Sequence, residues 1–226
     1  MSRIKIRLVA VMLLLSVTPA ILGMAAQASG TAPDIQRKTS EPYTGDLSIF
    51  DSPGREDRLQ LGRVMEILGI TPGKDVADIG AGSGWFTVHA AKQVGPQGRV
   101  YAVDINPEAV HYVAQRAQKE HLANVKTILS QADNPELPTD SVDSVLLLKT
   151  YHEVAHPVAL LRNLRAALRP GAKIGIIDRN GNGEDHGVSK EIVLREANEA
   201  GYRLLDQYDF VKGDKMDYFI VFTAKQ

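Results

Sequence analysis

Apolar residues along this chain fall into short runs, and the spacing within the runs alternates between two kinds. Asp75–Ile79, Arg99–Ile105, Val125–Leu129, Val142–Leu148 and Lys173–Asp178 are compact runs of strand length. Val142–Leu148 is almost continuously apolar, as a strand covered on both faces should be. Between these runs the spacing becomes helical. Leu61, Val64, Met65 and Leu68 predict a helix over Arg55–Leu68, and Trp85–Gln93 predicts another. Asn106-Pro107 opens a helix carrying Val110, Val113 and Ala117, with proline at the favoured first turn. Val158, Leu161, Leu164 and Leu168 mark a further helix, and Ser189 is a predicted cap for Ser189–Ala200. Thr71-Pro72-Gly73 and Arg169-Pro170-Gly171 read as turns. The last two strands, Arg203–Val211 and Tyr218–Ala224, are joined by the short polar stretch Lys212–Asp217. So short a link requires antiparallel pairing, because a parallel pair needs a crossover. The expected fold is α/β: a single Rossmann-like, doubly wound domain with a seven-stranded, mostly parallel sheet and a C-terminal antiparallel hairpin strand.

The chemistry concentrates where the first strand ends. Residues 75 to 84 read DVADIGAGSG: an apolar run, the acidic Asp78, then Gly80, Gly82 and Gly84 in alternation. Glycines at a strand-to-helix turn let the backbone bend sharply and let a ligand approach the bare main chain. The N–H groups that open the next helix favour a polar or anionic ligand group. Asp104, at the tip of the second strand, can accept both hydroxyls of a ribose. Together these features predict a nucleoside-containing cofactor. The dinucleotide fingerprint fits poorly, because its last small position falls on Trp85 or Thr87. Asp78 would also repel a pyrophosphate and suits a ligand with a cationic amine.

The pattern D-x-G-x-G-x-G closely resembles motif I of class I S-adenosylmethionine-dependent methyltransferases. The resemblance runs from about Arg55 to Ala224. ADNPELPTDSVDSVLLLK (Ala132–Lys149) is similar to the family stretch in which an aspartate reads adenine, with Asp133 in the aspartate position. LRPGAKIGIIDR (Leu168–Arg179) looks like the family's helix end, Pro-Gly turn and fifth strand. The likeness is to small-molecule enzymes related to the ubiquinone-biosynthesis methylases. It implies S-adenosylmethionine as cofactor, with Asp78 near its amino group and Gly80, Ala81, Gly82 and Gly84 facing its amino-acid portion. It also implies Asp104 on the ribose, and Ile105, Asp133 and Lys149 completing the cofactor set.

Methyl transfer from a sulfonium centre is an in-line displacement, so the protein mainly positions the nucleophile and excludes water. Candidates for that task lie just beyond strands four and five: Tyr151, His152, Glu153, Asp178 and Arg179. Tyr151 and His152 are the candidate catalytic residues, His152 as a group at the acceptor pocket or as a base; the competing reading is a helix-capping or solvated loop. Glu153 reads as solvated or as a local hydrogen-bond partner. His186 sits in the glycine-rich stretch Gly181–Gly187, either a lid over the acceptor or a mobile loop. No metal is expected, because His152 and His156 are four apart but Pro157 argues against their sharing a helix. Trp85 reads as packing at its helix start. Tyr43, Phe50 and Asp51–Arg55 precede the first helix, where family members often cover the cofactor; core packing and disorder compete with that reading.

The N-terminus bears on location. Arg3, Lys5 and Arg7 precede an apolar run from Leu8 to Leu15, weaker apolar character to Ala26, and small residues at Ala26 and Ala28. This is the layout of a secretory signal peptide, with an uncleaved anchor as the alternative. The expected divisions are 1–28 leader, 29–54 linker or arm, and 55–226 methyltransferase domain. Basic residues at the start place the domain outside the cytoplasm in either case. A net charge of −1 gives no support for nucleic-acid binding. The absence of cysteine excludes disulfides and thiolate chemistry. The expected partner is a small-molecule methyl acceptor, with membrane contact only through an uncleaved leader. The alternatives are a binder of the same fold without turnover and an NAD-dependent oxidoreductase, which the glycine pattern and closing hairpin disfavour.

A reporter active only outside the cytoplasm, fused after Thr39, is expected to be active. Mass spectrometry is expected to find the mature chain starting near Ser29. An inactive fusion, with the intact protein in the cytosol, would overturn the export reading.

Overall fold

Seven strands make one sheet in the order β3-β2-β1-β4-β5-β7-β6. The computed structural model describes residues 36–40, 43, 45–182 and 186–225. The leader expected over 1–28 lies outside the described residues. Internal contacts divide the chain into Met1–Ala32 and Pro33–Gln226, and every described residue belongs to the second unit. Among the described residues, no helix is long and apolar enough to cross a membrane.

Strands β1 (Asp75–Ile79), β2 (Arg99–Asp104), β3 (Val125–Leu129), β4 (Val142–Leu148) and β5 (Leu168–Asp178) pair in parallel. β7 (Tyr218–Ala224) runs antiparallel to both β5 and β6 (Tyr202–Tyr208). Helices cover both faces, which explains the continuously apolar strands. Side chains alternate across the sheet: Val145, Leu147, Ile174 and Ile176 enter one core, and Leu146, Leu148 and Ile177 enter the other. The first core is closed by α5 (Pro157–Leu164) and α6 (Lys190–Glu199) through Leu161, Leu164, Val193 and Ala197. The second is closed by α2 (Leu61–Leu68) and α3 (Trp85–Val94) through Val64, Leu68, Phe86 and Ala90. α4 (Pro107–Lys119) packs Val113 against Ala102 and Ala81.

Local signals act where the sequence placed them. Asn106 caps α4, accepting from the Glu108 N–H, and Ser189 caps α6, accepting from the Ile192 N–H. Three expectations change. The helix over Arg55–Leu68 is split into α1 (Arg55–Leu59) and α2 by Gln60, which adopts a left-handed φ of 53°. Arg169-Pro170-Gly171 lies inside β5 rather than before it; a register shift between Val142 and Ser144 absorbs the irregular residues. The strand expected to reach Val211 stops at Tyr208, and Phe210–Asp214 coils into a 3-10 helix that carries Asp214 to Arg55 and Arg58.

Leu146 is fully buried in the central strand. Leu146→Ala is expected to destabilise the protein by about 2–5 kcal/mol in denaturant unfolding. A loss near zero would mean that this face of the sheet is loosely packed.

Candidate active site

The order of the parallel strands reverses between β1 and β4, and this is where open α/β sheets leave a crevice beyond the strand ends. A cleft of about 970 Å³ opens there. One wall is the loop after β1. Gly80 adopts a φ of +76°, and a Cβ there would collide with the Thr150 side chain from the loop after β4. Gly82, at φ +55°, donates its N–H to Asp104 Oδ2 at 2.9 Å, which joins the glycine loop to the tip of β2. Gly84 caps α3 and Ala81 lines the cleft.

Two carboxylates flank this loop. Asp78 is buried and accepts a 2.6 Å hydrogen bond from the Thr87 hydroxyl on α3. Burial pushes its carboxyl up to about 7, against the pull of the Thr87 hydroxyl and with help from the charge of Asp104. Asp104 accepts from Gly82 N and, through Oδ1, from Asn106 N at 2.9 Å. Burial also raises the Asp104 carboxyl, partly offset by these N–H groups. Each of its oxygens keeps a second lone pair for a ligand hydroxyl. Beside it Ile105 is exposed on the cleft, an apolar platform next to a hydrogen-bonding carboxylate.

The segment before α1 closes the outer side. Asp51 accepts from the Ser83 hydroxyl at 2.7 Å and pairs with Arg116, whose Nη1 also donates to Ser83 O. Phe50 lies 3.7 Å from where a Gly82 side chain would begin, and Tyr43 O accepts from the Asn106 side chain. Tyr43 and Phe50 therefore stand over the cleft. Trp85 is buried at the start of α3, under the Arg55 guanidinium at 4.6 Å, with part of its surface on the cleft.

The other wall comes from the loops after β4 and β5. Lys149, at φ +55°, donates its N–H to Ile177 O and lines the cleft. His152 also lines it. Its Nδ1 lies 2.8 and 2.9 Å from the two oxygens of Asp178, the last residue of β5, and its backbone N–H donates to the same carboxylate. A carboxylate can only accept, so Nδ1 donates to Asp178 and Nε2 is the ring nitrogen turned away from it. Nε2 lies 3.5 Å from Glu153 Oε1. Glu153 is held by the Ser40 N–H at 2.7 Å and the Ser40 hydroxyl at 2.9 Å, and by His186 Nδ1 at 3.2 Å. Burial pushes the Glu153 carboxyl up, but the Ser40 N–H, the His186 ring and the Ser40 hydroxyl outweigh it and hold the group below its ordinary value.

Two expected residues lie elsewhere. Tyr151 is fully buried in the core, not on the cleft; its hydroxyl donates to Glu196, which pairs with Arg37. Burial and the Glu196 charge push its phenol well above the ordinary value, the opposite of what an acceptor of protons needs. Asp133 is exposed and off the cleft lining. Ala132 and Asp133 form the tip of a turn closed between Gln131 and Asn134, and Asn163 pins Asp133 O, so Gln131 and Ala132 face the cleft instead. His152 and His156 fall on separate elements, as Pro157 implied, but a set that the sequence spacing did not consider, His152, Glu153 and His186, gathers through loops. Sequence reasoning missed Thr87, Ser40 and the Asp51–Ser83–Arg116 brace. The partners of Ser40, Asp51 and Arg116 lie far along the chain, and Thr87 meets Asp78 across the strand-to-helix turn, nine residues away, with no pattern that marks the pair.

Sheet order, glycine loop and carboxylates define a Rossmann-like α/β protein with a ligand cleft at its switch point. The family model described as "Methyltransferase domain" matches residues 70–204, more than half of the chain, and the chain belongs to that family. Among curated relatives, it is 28% identical over 110 residues to a demethylmenaquinone methyltransferase of Geobacillus sp. (strain WCH70), covering 49% of this chain and 47% of that one. It is 30% identical over 115 residues to the ubiquinone/menaquinone biosynthesis C-methyltransferase UbiE of Ectopseudomonas mendocina (strain ymp), covering 50% and 45%. The chain thus spans about half the length of these relatives. A solved SAM-dependent methyltransferase from Aquifex aeolicus superposes with a TM-score of 0.71 at 26% identity, over 78% of this chain and 95% of that one. The [4+2]-cyclase SpnF shares the fold with a TM-score of 0.63 at 17% identity, over 88% and 89%.

The raised Asp78 carboxyl has a consequence for stability. Folded Asp78 keeps its proton up to about pH 7, whereas the unfolded side chain releases it near 3.8. Its contribution to stability is therefore full below the lower value and is lost as pH rises through the upper one. Denaturant unfolding of the ligand-free protein and of Asp78→Asn across this window is expected to show a larger loss in the first, since the raised Asp104 carboxyl contributes to both. Parallel curves would mean that Asp78 does not hold a proton.

Proposed function

We propose that the protein transfers a methyl group from S-adenosylmethionine to a small-molecule acceptor, working outside the cytoplasm. The observation that carries the cofactor reading is the pair Asp78 and Asp104 on either side of the glycine loop. A buried carboxyl with a raised value gains from a cationic ligand group, and the methionine ammonium is such a group. Asp104 has free lone pairs for two ribose hydroxyls, and Ile105 offers a surface for the adenine, with Gln131 and Ala132 opposite in the role expected of Asp133. Gly80, Ala81 and Gly82 would face the amino-acid portion and Lys149 would close that end, whereas Gly84, expected beside them, caps α3 against Val113 and does not line the cleft. Once held there, the cofactor supplies a methyl group already activated on a sulfonium.

The chain's own residues then position and shield. Phe50, Tyr43 and the Ser83–Asp51–Arg116 brace limit the entry of water from one side. At the other end His152 presents its ring to the cleft, in an orientation set by Asp178. The acceptor reading draws on relatives named for quinone biosynthesis and on the cleft volume, which exceeds what a nucleoside cofactor alone fills. The export reading rests on the basic and apolar N-terminus.

Calorimetry with S-adenosylmethionine is expected to show one site. Asp104→Ala is expected to weaken binding by about 1–3 kcal/mol, the cost of losing hydrogen bonds to a charged acceptor. Affinity for the wild type is expected to rise as pH passes through about 7, since only ionised Asp78 pairs with the ammonium. Unchanged affinity in Asp104→Ala would remove that residue from the site. A screen for transfer of labelled methyl to candidate quinols and phenols tests turnover; cofactor binding with no transfer to any acceptor would favour a binder of the same fold.

A further inference from the structure

We propose that His152, Glu153 and His186 form a binding site for a divalent transition-metal cation at the acceptor end of the cleft. One donor atom from each lies within 4.8 Å of the others. Glu153 Oε1 is 3.5 Å from His152 Nε2 and 3.2 Å from His186 Nδ1. Ligands at metal bonds of about 2.0–2.2 Å in a tetrahedron stand about 3.4 Å apart. The two Glu153 separations match that spacing, and the shorter is the hydrogen bond by which the His186 ring holds Glu153 when no cation is bound.

The hydrogen bonding around the cluster points the same way. With Nδ1 committed to Asp178, His152 turns Nε2 toward a carboxylate oxygen of Glu153. An imidazole nitrogen and a carboxylate oxygen facing each other are held together by a positive charge between them, which a divalent cation supplies as well as a proton does. Metal-binding histidines characteristically donate the other ring N–H to a carboxylate, as His152 does to Asp178. Glu153 is oriented in turn by the N–H and hydroxyl of Ser40. Two imidazoles and one carboxylate suit Zn²⁺, Fe²⁺, Co²⁺ or Mn²⁺ rather than Ca²⁺ or Mg²⁺, which prefer oxygen alone. Three protein ligands leave a position open, and all three residues line the cleft.

That open position fits an oxygen of the acceptor, and this role rests on the methyl-transfer reading, whereas cation binding does not. A phenolic or enolic hydroxyl coordinated there becomes more acidic and loses its proton to solvent. Its oxygen then forms the new bond to the methyl carbon as the carbon–sulfur bond breaks, the electron pair staying on sulfur.

The full-length protein, stripped with a chelator, is titrated with Zn²⁺ by calorimetry and with Co²⁺ by visible absorption, whose ligand-field bands report coordination directly. One equivalent is expected to bind. His186→Ala and Glu153→Gln are each expected to lower affinity at least tenfold, while His111→Ala, a change at an exposed histidine outside the cluster, leaves it unchanged. Neither cluster variant should alter the melting temperature of the metal-free protein, since His186 is exposed and Glu153→Gln preserves shape. No stoichiometric binding overturns the site, and so does binding that both variants leave intact, which would be an adventitious cation only. Cation binding without any affinity for S-adenosylmethionine keeps the metal site and removes the methyl-transfer reading. The reverse result keeps methyl transfer and removes the metal.

Discussion

The loop after β1 and the loop after β4 touch at Gly80 and Thr150, and that contact is the constraint on which the site depends. No side chain fits at position 80, and the Thr150 hydroxyl reaches Gly80 O at 3.4 Å. The contact bridges the switch point of the sheet. On one side it leaves the glycine loop curled toward Asp104. On the other it sets the path of Lys149–Glu153, so that His152 meets Asp178 at the tip of the neighbouring strand. A bulkier residue at either position would move both walls, because the strands beneath are packed on both faces and cannot give.

Carboxylates at strand ends are the second theme. Asp78, Asp104 and Asp178 end or nearly end β1, β2 and β5, and each is buried or half-buried. Burying a carboxylate costs free energy unless donors meet it. Asp104 and Asp178 each receive one backbone N–H from the loop that follows their own strand and one from the loop of the adjacent strand, so the fold itself supplies much of the compensation. Asp78 receives one hydroxyl, and its raised carboxyl reflects the shortfall. The three groups thus serve different ends: one is poised for a positive ligand group, one for hydroxyls, and one orients an imidazole.

The described part of the arm before α1 belongs to the same structure. Arg37 pairs with Glu196 and donates to Tyr151 O; Ser40 holds Glu153; Asp51 braces the glycine loop. These contacts tie three separate regions of the domain to one stretch of chain. They explain why residues in the polar stretch before the first helix, which carry no apolar pattern, are ordered by hydrogen bonds and ion pairs instead.

The order of the strands in the sheet came from the structure, whereas periodicity and turn signals determined the number of strands and their succession along the chain, the antiparallel end and the place of the glycine loop. Those features follow from local rules: strand runs buried on both faces must be apolar throughout, a six-residue link cannot cross over, and a tight strand-to-helix turn demands glycine. Asp78 and Asp104 stood out for their places at the strand tips beside that turn, and Ile105 only through the resemblance to the methyltransferase family. Only the tertiary structure decided which neighbours of a motif face the cleft. Tyr151 and His152 are adjacent in sequence yet point into core and cleft, because the 3-10 turn that carries them rotates successive side chains apart. Asp133 turns outward because hydrogen bonds from Asn163 and between Gln131 and Asn134 set its loop. The meeting of His152, Glu153 and His186 joins two loops more than thirty residues apart along the chain, and it depends on β4 and β5 lying side by side, a relation that no short-range pattern encodes.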